Sequence, residues 1–268
     1  MKVAALQMVS GVSVEANLAR AGVLLADAAM QGAELVVLPE YFCLMGRKDT
    51  DKLHVREPHG QGPVQAFLAA QARTLGLWIV GGTLPLAASD DGHVRNTSLV
   101  YNPQGQEVAR YDKIHLFRFD NGREQYDESR VIERGGSPQA FELPSRDGHR
   151  WRVGLSVCYD LRFCELYRAL AADVLLVPSA FTFVTGLAHW ETLLRARAIE
   201  NLAYVVAPAQ GGVHENGRQT WGHSMVVDPW GVVLAEKAEG EAVVLADLDW
   251  QRCQSVRTQL PALEHRVL

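Results

Sequence analysis

The chain has 268 residues, 48% of them hydrophobic and 21% charged, with a formal net charge of −5. This is globular composition, and an acidic balance without any basic run excludes a nucleic-acid or anionic-membrane surface as partner. No segment approaches the roughly 18 apolar residues of a membrane span, the opening MKVAALQMVSG is too short for a signal-peptide core, and four cysteines are too few for a disulfide scaffold, so a reducing, cytoplasmic setting is expected.

Residues 2–7 read as a strand, followed by an Ala- and Leu-rich helix over 14–31 that stops at Gly32. A buried strand over 35–38 ends in Pro39-Glu40, residues 46–61 are polar and loop-like, a helix covers 63–75, and a strand covers 78–83. Strands over 97–102 and 107–111 flank Asn-Pro-Gln-Gly, a type I turn pattern. The segment 112–136 is a long connection of the kind that is functional or disordered. A short strand over 152–157 stops at Cys158, and a helix over 161–171 follows with Asp160 as its N-cap.

The second half repeats the first in the same order. KVAALQM from Lys2 answers RVGLSVC from Arg152, AELVVLPEYF from Ala33 answers ADVLLVPSAF from Ala172, LWIVGGTLP from Leu77 answers LAYVVAPAQ from Leu202, and SLVYNPQGQEVA from Ser98 answers SMVVDPWGVVLA from Ser224. One strand–helix–strand–helix–strand–hairpin unit is thus used twice. Each copy has a sheet with helices on one face and a bare face to bury, so packing the two bare faces predicts a four-layer α-β-β-α sandwich, one α/β domain over 1–268 with internal pseudo-twofold symmetry.

The repeat also acts as an internal control on chemistry. Glu40 stands where its twin is Ser179, and Cys158 stands where its twin is Met8, so the fold requires neither a carboxylate nor a thiol at those sheet edges. A lone cysteine in an apolar segment is more often a buried core residue, whereas the amino end of a following helix would favour its thiolate. Lys113 follows a strand in YDKIHLF, and Glu128 lies in the long connection; taken singly, each reads as surface charge. Together a thiol, a carboxylate and an ammonium suit attack on an amide carbonyl with proton transfer and oxyanion stabilisation, but the spacing alone does not bring them together. Neither Cys-x-x-Cys nor His-Glu-x-x-His occurs and the nine histidines are scattered, so no metal site is expected. Phe181 and Trp190 are candidates for the pocket wall or the core. Arg162 could bind a substrate carboxylate but is expected instead to tie down the cysteine turn, Arg195, Arg197 and Glu200 to form a solvated or ion-paired helix face, and Cys43 and Cys164 to be buried.

The motifs VVLPEYF, YDKIHLF and GLSVCYDLRF, in that order, make the chain resemble the nitrilase superfamily of carbon–nitrogen hydrolases from end to end. That resemblance implies Glu40 as general base, Lys113 as oxyanion stabiliser, Cys158 as nucleophile forming a thioester, Glu128 as a second glutamate positioning substrate and lysine, and the Tyr159 N–H as an oxyanion donor. It implies the same sandwich fold, homodimers or larger oligomers, a small-molecule amide substrate, and no metal or organic cofactor. The segments HWETLLRARAIEN (189–201), APAQGGVHENGRQTWGHSMVVDPWG (207–231) and RTQLPALEHR (257–266) are most similar to the amidase branch of deaminated glutathione amidases and omega-amidases, with the former preferred. The expected reaction is hydrolysis of the terminal amide of a glutaramate-like substrate such as deaminated glutathione; alternatives are 2-oxoglutaramate, a plain aliphatic amide, an N-carbamoyl amine, a nitrile, or a non-enzymatic scaffold. The connection RFDNGREQYDES departs from the FDV- or FDI-like start usual in these relatives, and it borders the substrate.

Overall fold

The computed structural model describes residues 1–267. The first half runs β1 (Lys2–Gln7), α1 (Val14–Met30), β2 (Leu35–Val37), a single helical turn α2 (Asp51–His54), α3 (Pro63–Leu75), β3 (Trp78–Val80), β4 (Leu84–Ala87), β5 (Val94–Tyr101) and β6 (Glu107–Asp112). A small hairpin, β7 (Arg118–Asp120) and β8 (Gln125–Asp127), then leads to β9 (Gln139–Pro144). The second half runs β10 (Arg150–Leu155), α4 (Cys164–Leu170), β11 (Val174–Leu176), α5 (Phe183–Asn201), β12 (Tyr204–Ala207), the hairpin β13 (Gly211–Val213) and β14 (Gln219–Trp221), β15 (Ser224–Val227), β16 (Val233–Lys237), β17 (Ala242–Asp247) and α6 (Trp250–Gln259).

Strand periodicity assigns the faces. Ala4, Leu6, Val36 and Ile79 pack against Ala21, Leu25 and Leu68 of α1 and α3, whereas Val3, Ala5, Leu35, Val37 and Val80 point the other way into the core shared with the second sheet. In that second sheet, consecutive residues of β11 and β12 are fully buried, because α5 covers one face and the first sheet the other. The outcome is the α-β-β-α sandwich. In both halves three parallel strands (β1, β2, β3 and β10, β11, β12) continue into antiparallel ones (β5 with β6, β15 with β16).

The halves also exchange a strand. β17, from the end of the second half, pairs antiparallel with β1, while β9, which follows the first half, pairs with β10 of the second. Each sheet is therefore completed by the other half, which is why no linker separates them.

Several local expectations change. The strand expected over 152–157 spans Arg150–Leu155, and β4 was not anticipated. The helix expected over 161–171 is shorter because Phe163 is extended (φ −111, ψ 90), leaving a 3-10 turn over Cys158–Arg162 ahead of α4. Asp160 lies within that turn and does not cap α4. The connection over 112–136 is not structureless, since β7, β8 and a 3-10 turn (Glu128–Arg130) fill it. Cys43 is buried but Cys164 is exposed, because the shortened helix starts at the surface.

Candidate active site

Three chain reversals at the carboxyl edge of the sheets build the site. After β2, Leu38-Pro39 delivers Glu40, and Tyr41 takes a left-handed φ of 57 that turns the chain away from the sheet. Close approach is required here, because a Cβ on Gly82 (φ +47) would collide with Pro39 O. Lys113 directly follows β6, and its carbonyl accepts from Gly135 N at 2.8 Å. Cys158 follows β10 with a left-handed φ of 51, a costly conformation for a non-glycine residue and one that clusters at functional sites. Its N–H donates to Pro178 O at 3.0 Å, which pins the turn to the adjacent strand end.

These reversals place Glu40, Lys113, Glu128 and Cys158 on one cavity of about 310 Å³. Lys113 is 1% exposed, and its Nζ donates to Glu40 Oε1 at 2.8 Å and to Glu128 Oε1 at 2.9 Å. Glu40 Oε1 also accepts from Asn96 Nδ2 at 2.9 Å, while Oε2 accepts from Ala180 N at 2.9 Å. Glu128, which alone reads as surface charge, has a side chain only 14% exposed and takes further hydrogen bonds from Tyr41 Oη (2.7 Å) and Phe117 N (2.7 Å).

The electrostatics follow from this packing. Burial disfavours the Lys113 ammonium, but the carboxylates of Glu128 and Glu40 outweigh it and hold its pKa above the ordinary lysine value. Burial likewise opposes ionisation of Glu128, and the lysine charge with three hydrogen-bond donors wins, keeping that carboxyl below the ordinary value. For Cys158 the balance is reversed. Burial comes first, the negative charge of Glu40 adds to it, and Lys113 compensates only in part, so the thiol is pushed well above its usual range. This overturns the expectation that a helix amino end favours the thiolate: the following element is a 3-10 turn, and burial dominates.

The residues that hold these groups together carry no catalytic signal in the sequence. Asp160, fully buried, accepts from Val157 N (2.8 Å) and Tyr111 Oη (2.7 Å) on one oxygen, and from His115 N (3.0 Å) and His115 Nδ1 (2.7 Å) on the other. It joins the cysteine turn to the segment on either side of Lys113. Asp160→Asn turns one acceptor oxygen into a donor and leaves a buried N–H or O–H unsatisfied, which costs about 1–3 kcal/mol. A melting temperature several degrees lower, with kcat falling more than KM rises, is the expected outcome; an unchanged kcat would mean that Asp160 does not position the turn.

Arg197 does what was expected of Arg162. It is 6% exposed, donates from Nε to Leu161 O at 2.9 Å and pairs with Glu200 at 2.8 Å, whereas Arg195 reaches Gly231 O. Arg162 instead lines the cavity over the rings of Tyr159 and Phe181, with His189 Nδ1 at 3.3 Å as its hydrogen-bond partner. Tyr159 is also on the cavity wall, and its N–H precedes the first bond of the 3-10 turn (Asp160 N to Val157 O), a position where turn donors lack an internal acceptor. Phe181 lines the cavity, but Trp190 does not; its ring packs behind Phe181 at 4.8 Å and its Nε1 donates to His223 O. Among the described residues no group of three or more His, Cys, Asp or Glu is arranged to hold a metal ion, and no helix is long and apolar enough to cross a membrane.

A carbon–nitrogen hydrolase family model matches residues 2–258. The chain is 43% identical to a deaminated glutathione amidase of Synechocystis sp. over 270 residues, covering 98% of this chain and 97% of that protein. It is 36% identical to an omega-amidase of Homo sapiens, covering 93% and 89%. Among solved structures, a member of branch 10 of the nitrilase superfamily from Saccharomyces cerevisiae superposes with a TM-score of 0.86 at 31% identity, covering 100% of this chain and 97% of that one.

Proposed function

The chain belongs to the carbon–nitrogen hydrolases of the nitrilase superfamily, enzymes acting on C–N bonds other than peptide bonds, and from that membership we propose an amidase that works through Glu40, Lys113 and Cys158. The observation that carries this reading is the convergence of a buried carboxylate, ammonium and thiol from three distant segments on one cavity. With its thiol pKa raised, Cys158 attacks as its proton passes to Glu40. The S–C bond forms, and Lys113 and the Tyr159 N–H stabilise the oxyanion. Collapse breaks the C–N bond, and the amine leaves with the proton from Glu40. Water then gives a proton to Glu40 and its hydroxide to the thioester carbonyl, and the acid departs as the proton returns to sulfur. Glu128 keeps Lys113 charged and aimed between the two carboxylates.

For substrate we favour a glutaramate-like amide, with deaminated glutathione ahead of 2-oxoglutaramate. The names of the relatives support this, as do two cavity-lining guanidiniums, Arg162 and Arg218, that have no carboxylate partner among the described residues and so suit an anionic substrate. Mass spectrometry of protein stalled with substrate tests it: an acyl adduct on Cys158 is expected. Faster turnover of 2-oxoglutaramate than of deaminated glutathione would transfer the assignment to omega-amidase. Tyr41→Phe, which removes one hydrogen bond from Glu128, is expected to lower kcat/KM about tenfold, read from initial rates; an unchanged value would remove Tyr41 from the machinery.

A homodimer or larger oligomer is also proposed, supported by exposed apolar residues on α5 and beside it: Val184, Leu187, Ile199, Trp230 and Val232. Light scattering that gives the monomer mass at working concentration would reject it.

A further inference from the structure

Two guanidiniums line the catalytic cavity: Arg162, which lies over the Phe181 ring, and Arg218. Arg218 is on the segment between β13 and β14, and it alone of the two arginines also lines two outer cavities. The first of these, about 380 Å³, shares Tyr41, Phe117, Glu128 and Arg218 with the catalytic cavity. The second, an open groove, continues beyond it past Met45, Lys48, Asp49, Lys52 and Asn216. Room therefore continues outward from the reacting centre past one guanidinium.

That guanidinium is held in place without being neutralised. Its Nη2 donates to Ala180 O at 3.0 Å, its Nη1 faces only the weak acceptor Met45 Sδ at 3.9 Å, and its plane lies over the Tyr126 ring at 5.2 Å. Nε is buried and has no hydrogen-bond partner, and no carboxylate among the described residues pairs with the charge. A half-buried guanidinium is usually matched by a bidentate anion. Here the described residues supply none. Lys52, over the Tyr41 ring at 4.8 Å, stands on the same outer wall and is already paired with Asp49 at 3.5 Å, so Arg218 is the cation there without a carboxylate partner among the described residues.

We infer that Arg218 anchors a leaving-group subsite, so that the enzyme prefers amides whose amine portion carries a carboxylate over primary amides that release ammonia. The inference rests on the glutaramate-type reading above and deepens it: Arg162 is left to the acyl acid, and Arg218 takes the acid of the departing amine. The same arrangement lets a peptide-like amine occupy the outer cavities while its nitrogen stays at Cys158.

Three substrates with one acyl group test it: 2-oxoglutaramate, deaminated glutathione, and deaminated glutathione whose glycine carboxylate is capped as an amide. In the wild-type enzyme, capping is expected to lower kcat/KM about tenfold or more, the range of a lost charge-assisted hydrogen bond. Arg218→Met is expected to collapse the ratio of kcat/KM for deaminated glutathione over 2-oxoglutaramate by a similar factor, with Arg218→Lys intermediate. If capping has no effect in the wild type, or if the ratio in Arg218→Met stays within about twofold of wild type, the inference falls while the amidase reading stands. If the wild-type enzyme hydrolyses none of the three, the substrate reading falls and takes the inference with it.

Discussion

Cys158→Ala is expected to abolish amide hydrolysis, a loss on the scale of about 10⁶ in kcat seen when a nucleophile is removed from a mechanism whose parts act as a unit. The fold should survive. Cys158 is buried, yet its sulfur faces the cavity, and alanine at the same left-handed backbone position carries no greater steric strain. Removing a thiol whose ionisation burial and Glu40 both oppose also takes nothing from the Lys113 pairings, which run to Glu40 and Glu128. Cys158→Ser is the sharper variant. It keeps the shape, but a serine hydroxyl is far less acidic than a thiol, so Glu40 cannot strip it and no acyl adduct should accumulate. Hydrolysis by Cys158→Ala at the wild-type rate, with a melting temperature near wild type, would remove this residue from the chemistry.

The second large effect is expected from Glu40→Gln, a loss of about 10²–10⁴ in kcat, the usual contribution of a general base. The substitution is nearly isosteric, so it isolates protonation from packing. In the wild-type site all three partners of the Glu40 carboxylate are donors: Lys113 Nζ, Asn96 Nδ2 and Ala180 N. A glutamine amide can satisfy only the donors on its oxygen side, so its NH₂ must face at least one N–H, and a modest loss of stability accompanies the kinetic one. Single-turnover measurements separate the two steps. Slow acylation and slow deacylation together are expected, because the same carboxylate accepts the thiol proton and later the water proton. An unchanged kcat in Glu40→Gln would show that the base lies elsewhere.

Both expectations depend on groups whose chemistry is local in sequence and whose environment is not. The VVLP run before Glu40, the short apolar strand before Cys158 and the Tyr-Asp pair before Lys113 are each legible as strand ends, since side-chain alternation and apolar runs are properties of consecutive residues. The twin positions Met8 and Ser179 were legible for the same reason, and with them the layered α/β architecture. Helix α3 was read with both its ends, because Pro63 and Gly76 punctuate it within the chain itself.

What the tertiary structure decided is of another kind. Asp160 reads from sequence as a helix cap, and only the arrival of Tyr111 and His115 from β6 and its exit turns it into the tie between cysteine and lysine. Glu128 reads as surface charge until Tyr41, eighty-seven positions away, donates to it. The exchange of β9 and β17 is invisible to a repeat search, because each strand completes the sheet of the half to which it does not belong. Arg218 belongs to a quoted motif, but the lack of a carboxylate partner for it among the described residues depends on where the fold places those carboxylates. Sequence determined which side chains stand at the sheet edges, because strand geometry is short-range. Their charge states were decided only when packing removed water from around them, because a pKa measures the competition between desolvation and the few partners that distant chain segments bring within hydrogen-bond distance.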